Sequence, residues 1–88
     1  MLFVLEPRRT PRRYQGSQVM LYGPQIVCYA TQVTFWRRLN RVVFEYPGGI
    51  IARWTIPNKE DINYLANQCA EDGMKLKGAR GCLERWVR

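Results

Sequence analysis

Between residues 41 and 56, apolar side chains fall on every second position: Val42, Phe44 and Tyr46, then Ile50, Ala52 and Trp54. Period-2 alternation on both sides of Pro47-Gly48-Gly49 predicts an antiparallel hairpin with a three-residue loop. Proline suits the second position of a type I turn there, and Gly49 the left-handed position that closes it. Counting outward pairs Tyr46 with Ile50, Phe44 with Ala52 and Val42 with Trp54, six apolar residues on one face. The other face receives Arg41, Val43, Glu45, Ile51, Arg53 and Thr55. A two-residue loop would set Phe44 against Arg53 and break the alternation.

The period changes after Pro57. Ile62, Leu65, Ala66, Cys69 and Ala70 recur at helical spacing, with Asn63, Asn67, Gln68 and Glu71 opposite. Asn58 is the expected N-cap, Glu60 and Asp61 suit the positive end of the helix dipole, and Gly73 should stop the helix. A helix over residues 59–72 follows, with Met74 folding back on its last turn.

Other segments carry weaker patterns. Residues 2–5 are apolar and read as a short strand. Residues 7–13 repeat Pro-Arg-Arg and should be extended and solvated, because proline restrains itself and its predecessor. Residues 14–17 read as a polar connection, 19–22 as a strand, Gly23-Pro24 as a turn, and 26–35 as a longer β-branched and aromatic strand, with a helix as its alternative. Residues 74–77 suit a strand, 78–81 a loop, and 82–88 a strand or short helix. The resulting fold class is α+β: a four- to five-stranded antiparallel sheet with one main helix packed on one face. At 88 residues the chain has room for one domain, spanning 1–88. A core of this size leaves much apolar surface exposed, and a homodimer would hide more of it.

Charge adds a direction to this picture. Residues 58–73 hold one base and four acids, a net −3, while the rest holds thirteen bases and three acids, a net +10. A strongly cationic face should attract polyanions. Arg37, Arg41 and Arg53, with Arg38 at the turn, would make a basic patch on an exposed sheet face, suited to phosphates. Arg8, Arg9, Arg12 and Arg13 would form an extended arm able to follow a phosphate backbone or a minor groove. Lys75, Lys77, Arg80, Arg85 and Arg88 are numerous enough to join them. Each tryptophan has an arginine neighbour (Trp36-Arg37, Arg53-Trp54, Arg85-Trp86), so strand alternation predicts buried rings with outward guanidinium groups. Tyr14, Tyr22, Tyr29 and Phe35 are candidates for stacking on bases.

Catalytic chemistry finds little purchase. There is no histidine, phosphate-binding glycine loop or nucleophile elbow, and the carboxylate pairs look like helix-end charges. Cys28, Cys69 and Cys82 are odd in number and widely spaced, which argues for free thiols in a cytoplasmic protein rather than a disulfide scaffold or metal site. No apolar run approaches the length of a membrane span. No cofactor is implied.

These features favour a non-enzymatic nucleic-acid-binding accessory protein, partnered by DNA or RNA through the arginine arm and basic sheet face. The alternative is a small phage or mobile-element inhibitor, of the anti-CRISPR type, that docks on a host nucleic-acid-processing protein. It would use an acidic protein surface against its own basic face, or the polar helix side bearing Glu60, Asn63, Asn67 and Glu71. A small basic ribonuclease toxin is third, for want of an identifiable general base.

Overall fold

The computed structural model describes residues 12–13, 16–81 and 83–88. In chain order the elements are β1 (Arg12–Arg13), α1 (Gly16–Tyr29), β2 (Gln32–Trp36), β3 (Arg41–Tyr46), β4 (Ile50–Thr55), α2 (Lys59–Glu71), β5 (Lys75–Arg80) and β6 (Leu83–Val87). The sheet runs β1-β4-β3-β2-β6-β5. From β4 to β5 each strand is antiparallel to its neighbours, and the two-residue β1 lies parallel to the outer side of β4. Both helices cover one face of the sheet and pack on each other, an α+β fold in two layers.

The hairpin of β3 and β4 has the register counted from its alternation, Tyr46 with Ile50, Phe44 with Ala52 and Val42 with Trp54. Phe44 and Trp54 meet edge to face at 5.0 Å in the core. The turn differs in type. Gly48 sits at φ 83°, ψ 10°, the third position of a type II turn after Pro47, and Gly49 is also left-handed. With two adjacent glycines the backbone is free to choose type II.

Helix α2 begins where its cap places it, Asn58 Oδ1 accepting from the Glu60 amide at 2.8 Å. At the other end the Met74 and Gly73 amides donate to the Cys69 and Ala70 carbonyls at 3.0 and 3.1 Å, with Gly73 left-handed. That is a Schellman closure, and it folds Met74 into the core. Of the apolar stripe, Ile62, Leu65, Ala66 and Cys69 are buried, whereas Ala70 is exposed.

Residues 19–30 correct the strand reading. Instead of a strand at 19–22, a turn at Gly23-Pro24 and a strand from 26, one helix runs through all of them. Its buried positions, Val19, Gly23, Ile26 and Val27, and Ala30 just beyond its end, follow a helical period. Proline in a helix interior removes a hydrogen bond and costs about 3 kcal/mol, so tertiary packing holds the helix together. Gly23 supplies part of it, since a Cβ there would lie 2.8 Å from Leu65 Cδ2. Glycine here permits close approach of α1 to α2 rather than a chain reversal.

The end of α1 is tied to β3 and to the residue that follows β6. The Ala30 amide bonds to Val27 O in a tighter turn, and Tyr46 Oη donates to Ile26 O at 3.0 Å. Arg88 donates to the Ala30, Val27 and Cys28 carbonyls at 2.7, 2.5 and 2.8 Å, and to Asp72 O at 3.1 Å. Its guanidinium also pairs with the Asp72 carboxylate at 2.6 Å. One cation therefore closes the C-terminal ends of both helices, where the dipoles favour positive charge.

The remaining difference is at 74–88. Strand β5 extends through Gly78 to Arg80, past a bulge between Leu76 and Gly78, and pairs with β6 as far as Arg80 and Leu83. The expected loop at 78–81 shrinks to a tight reversal with Gly81 at φ 60°. The expectations for residues 2–5, for Arg8 and Arg9, for Tyr14 and for Cys82 lie outside the described residues. Among the described residues no helix is long and apolar enough to cross a membrane.

Candidate functional site

Because paired residues share a face, the cross-strand register maps the side of the sheet away from the helices. One row runs Thr55, Arg41, Trp36, Leu83, Arg80 from β4 to β5. The next runs Arg53, Val43, Thr34, Arg85, Gly78, and the third Ile51, Glu45, Gln32, Val87, Lys75. Five bases thus share this face with one acid, Glu45, which accepts from Gln32 Nε2 at 2.8 Å. Glu60, Asp61, Glu71 and Asp72 belong to α2 and its cap, in the layer behind the sheet. Charge is sorted between the two layers.

The expected arginines divide. Arg41 and Arg53 stand on the open face, and Arg38 is exposed at its end, in the short 3₁₀ turn after β2. Arg37 does not join them. Its Nε and Nη2 grip Glu84 at 2.8 and 3.3 Å, and Nη1 donates to Asn63 Oδ1 at 2.7 Å, on the helix side of the sheet. That ion pair fixes β2 to β6 and α2, so Arg37 is a structural clasp and not part of the basic face. Arg88, likewise, is committed to helix ends. Arg38, Arg41, Arg80 and Arg85 make no ion pair with a described carboxylate. Arg12 and Arg13 form β1 beside β4, extended as expected, and bring the arginine-rich segment to that border of the sheet.

The aromatic reading also changes. Trp54 is fully buried and Trp86 packs on the core, but Trp36 is 43% exposed on the open face. Phe35 occupies the core position beside it, and alternation turns Trp36 outward and Arg37 inward. Phe35 is therefore unavailable for stacking. Tyr22 packs against the core, and Tyr29 is exposed in the helix layer, away from the basic rows.

Trp36 lies at the junction of three shallow clefts. The first, of about 420 Å³, is lined by Thr34, Leu39, Arg41, Val43, Glu45 and Arg53 on the β3–β4 side. The second, of about 740 Å³, is lined by Thr34, Lys77, Arg80, Leu83 and Arg85 among others on the β5–β6 side. The third, of about 320 Å³, lies between Arg38, Leu39, Arg80 and Leu83 at the end of β2. The sequence offers Arg80 and Arg85 to the basic face but not the exposed Trp36 between them and Arg41, because that neighbourhood depends on β6 pairing with β2, a contact between distant parts of the chain.

The candidate partner face of α2 is accessible: Glu60, Asn67 and Glu71 are exposed, while Asn63 holds Arg37. Among the described residues no group of three His, Cys, Asp or Glu side chains is placed to hold a metal. Burial pushes the Cys69 thiol up to about 12, Arg88 opposing and Asp72 adding to the shift, and it raises the Tyr46 phenol as well. Neither group is a poised nucleophile or base. Comparison with family models, with curated proteins and with solved structures returned no match.

Proposed function

We propose that the protein binds nucleic acid through the open face of its sheet, without catalysing a reaction. The observation that carries this reading is the sorting of Arg41, Arg53, Lys75, Arg80 and Arg85 onto the face that neither helix covers, with the acids of α2 in the layer behind it. Such a field draws in a polyanion and orients it, since the rear layer repels it. The backbone of Arg12 and Arg13 pairs with β4 at the border of the sheet, and in this reading the sequence-adjacent Arg8 and Arg9 add cationic charge to the same ligand.

A salt series tests it. Neutralising about five phosphates gives a slope of log affinity against log salt of about −3.5 to −4.5, a loss of about 100- to 500-fold between 50 and 200 mM. Replacing Arg41 and Arg85 together by alanine should flatten the slope by about 1.4 to 1.8; each arm arginine that touches a phosphate steepens the parent slope by about a further 0.7 to 0.9, which its replacement removes. Absence of binding to single-stranded and duplex DNA and RNA at 50 mM salt would refute the reading. A protein partner for the helix layer, where Met20, Leu21 and Tyr29 are exposed beside the acidic helix, would then be the surface to pursue.

A further inference from the structure

The open face offers more than charge. Trp36 stands on the central strand, walled by Leu39 and Leu83, and forms part of every one of the three clefts described above. Bases flank it on both sides: Arg41 and Arg53 toward β4, and Lys77, Arg80 and Arg85 toward β5, with Arg38 at the mouth of the third cleft. A duplex presents phosphates to such a face but keeps its bases stacked inside. An unpaired strand can lay its phosphates in both cationic grooves and turn a base onto the indole between them.

Building on the proposed nucleic-acid binding, we infer that the preferred ligand is an unpaired polynucleotide strand crossing the sheet from β4 to β5, with one base stacked on Trp36 between Leu39 and Leu83. Aromatic platforms flanked by cations bind single strands with little sequence preference, because every base has a π face. Five strands at about 4.8 Å spacing give a path of about 19 Å, which suits a site of about four nucleotides. The charges set the salt dependence, and Trp36 sets the preference for unpaired bases.

The test measures anisotropy of end-labelled probes at 50 mM salt: dT12, rU12, an abasic 12-mer with the same phosphates, and a 12-base-pair duplex. Trp36→Ala should weaken dT12 and rU12 between about 5- and 150-fold, leave the abasic chain and the duplex unchanged, and keep the salt slope. Trp36→Phe should recover most of the loss, and Arg37→Ala should bind every probe as the parent does. Oligonucleotide should also quench the emission of the unsubstituted protein, by an amount that Trp36→Phe removes, a reading that does not depend on the folding of the alanine variant. Equal weakening of all four probes by Trp36→Ala, or of none, overturns the inference while leaving charge-driven binding in place. Binding of no probe removes both readings. A difference between dT12 and rU12 assigns the sugar, and either ordering supports the stacking site.

Discussion

Replacing Arg88 by alanine removes the cation that closes both helices. Four donated hydrogen bonds, to the carbonyls of Val27, Cys28, Ala30 and Asp72, go with it, together with the ion pair to the Asp72 carboxylate. Hydrogen bonds to a charged group are worth about 1.5–3 kcal/mol when sheltered, but this side chain is 35% exposed and water can replace part of what is lost. Exposed ion pairs contribute about 0.2–1 kcal/mol and a helix-end charge about 0.3–1 kcal/mol. Allowing for overlap among these, the loss should be about 2–3 kcal/mol, or roughly 8–24 °C in melting temperature for a domain of this size. Urea unfolding followed by circular dichroism measures it directly. Arg88→Lys should recover only a minor part, because an ammonium is a point charge and cannot serve carbonyls from two helices at once. A loss below about 0.5 kcal/mol, or full recovery by lysine, would refute the assignment of Arg88 as the joint between helix ends.

Three further outcomes follow from the packing. Gly23→Ala sets an overpacking cost of about 1–3 kcal/mol, from the new Cβ against the buried Leu65 Cδ2, against a helix-propensity gain of about 1 kcal/mol, so chemical unfolding should show a net loss of up to about 2 kcal/mol; a gain in stability would show that the Leu65 side chain yields without cost. Arg37→Ala should cost about 1 kcal/mol through the lost Glu84 and Asn63 contacts, and Glu84→Gln should cost a similar amount. Cys69 in the folded protein is pushed from its ordinary value near 9 to about 12 by burial, so the unfolded chain releases this proton first. Stability should be intact below pH 9 and fall as pH rises above it, by up to about 1.4 kcal/mol per pH unit for this group; Cys69→Ala should flatten the urea midpoint between about pH 9 and 10, above which the buried Tyr46 phenol, also raised, adds a loss of the same sign.

How far the fold was legible depended on where each signal was written. The β3–β4 register and both ends of α2 rest on neighbouring residues: the parity of apolar positions, one asparagine and one glycine decide them. Helix α1 was misread because its composition is strand-like, with Val19, Ile26 and Val27, and because Gly23-Pro24 resembles a turn. What favours a helix is burial of Val19, Ile26 and Val27 against α2 and the sheet, with Gly23 close to Leu65, more than forty residues away in sequence, and no local pattern contains those contacts.

The site shows the same division more sharply. Arg41 and Arg53 were placed correctly because the hairpin register is local, whereas Arg37 was assigned to the wrong layer by supposing that Trp36 takes the core position. Phe35 and Trp36 are adjacent on one strand, so only one ring can face the helices. The parity of Val33 decides between them: it is an apolar position two residues before Phe35, and burying 33 and 35 together sends Trp36 outward. Once that choice is made the rest follows, because Arg37 is then turned toward Glu84 and Asn63, and the exposed indole is left among Arg41, Arg80 and Arg85. A core of ordinary aromatic packing would have hidden the largest ring of this strand. Its exposure instead, on the face that also carries Arg41, Arg80 and Arg85, joins the charge and stacking halves of the proposed site.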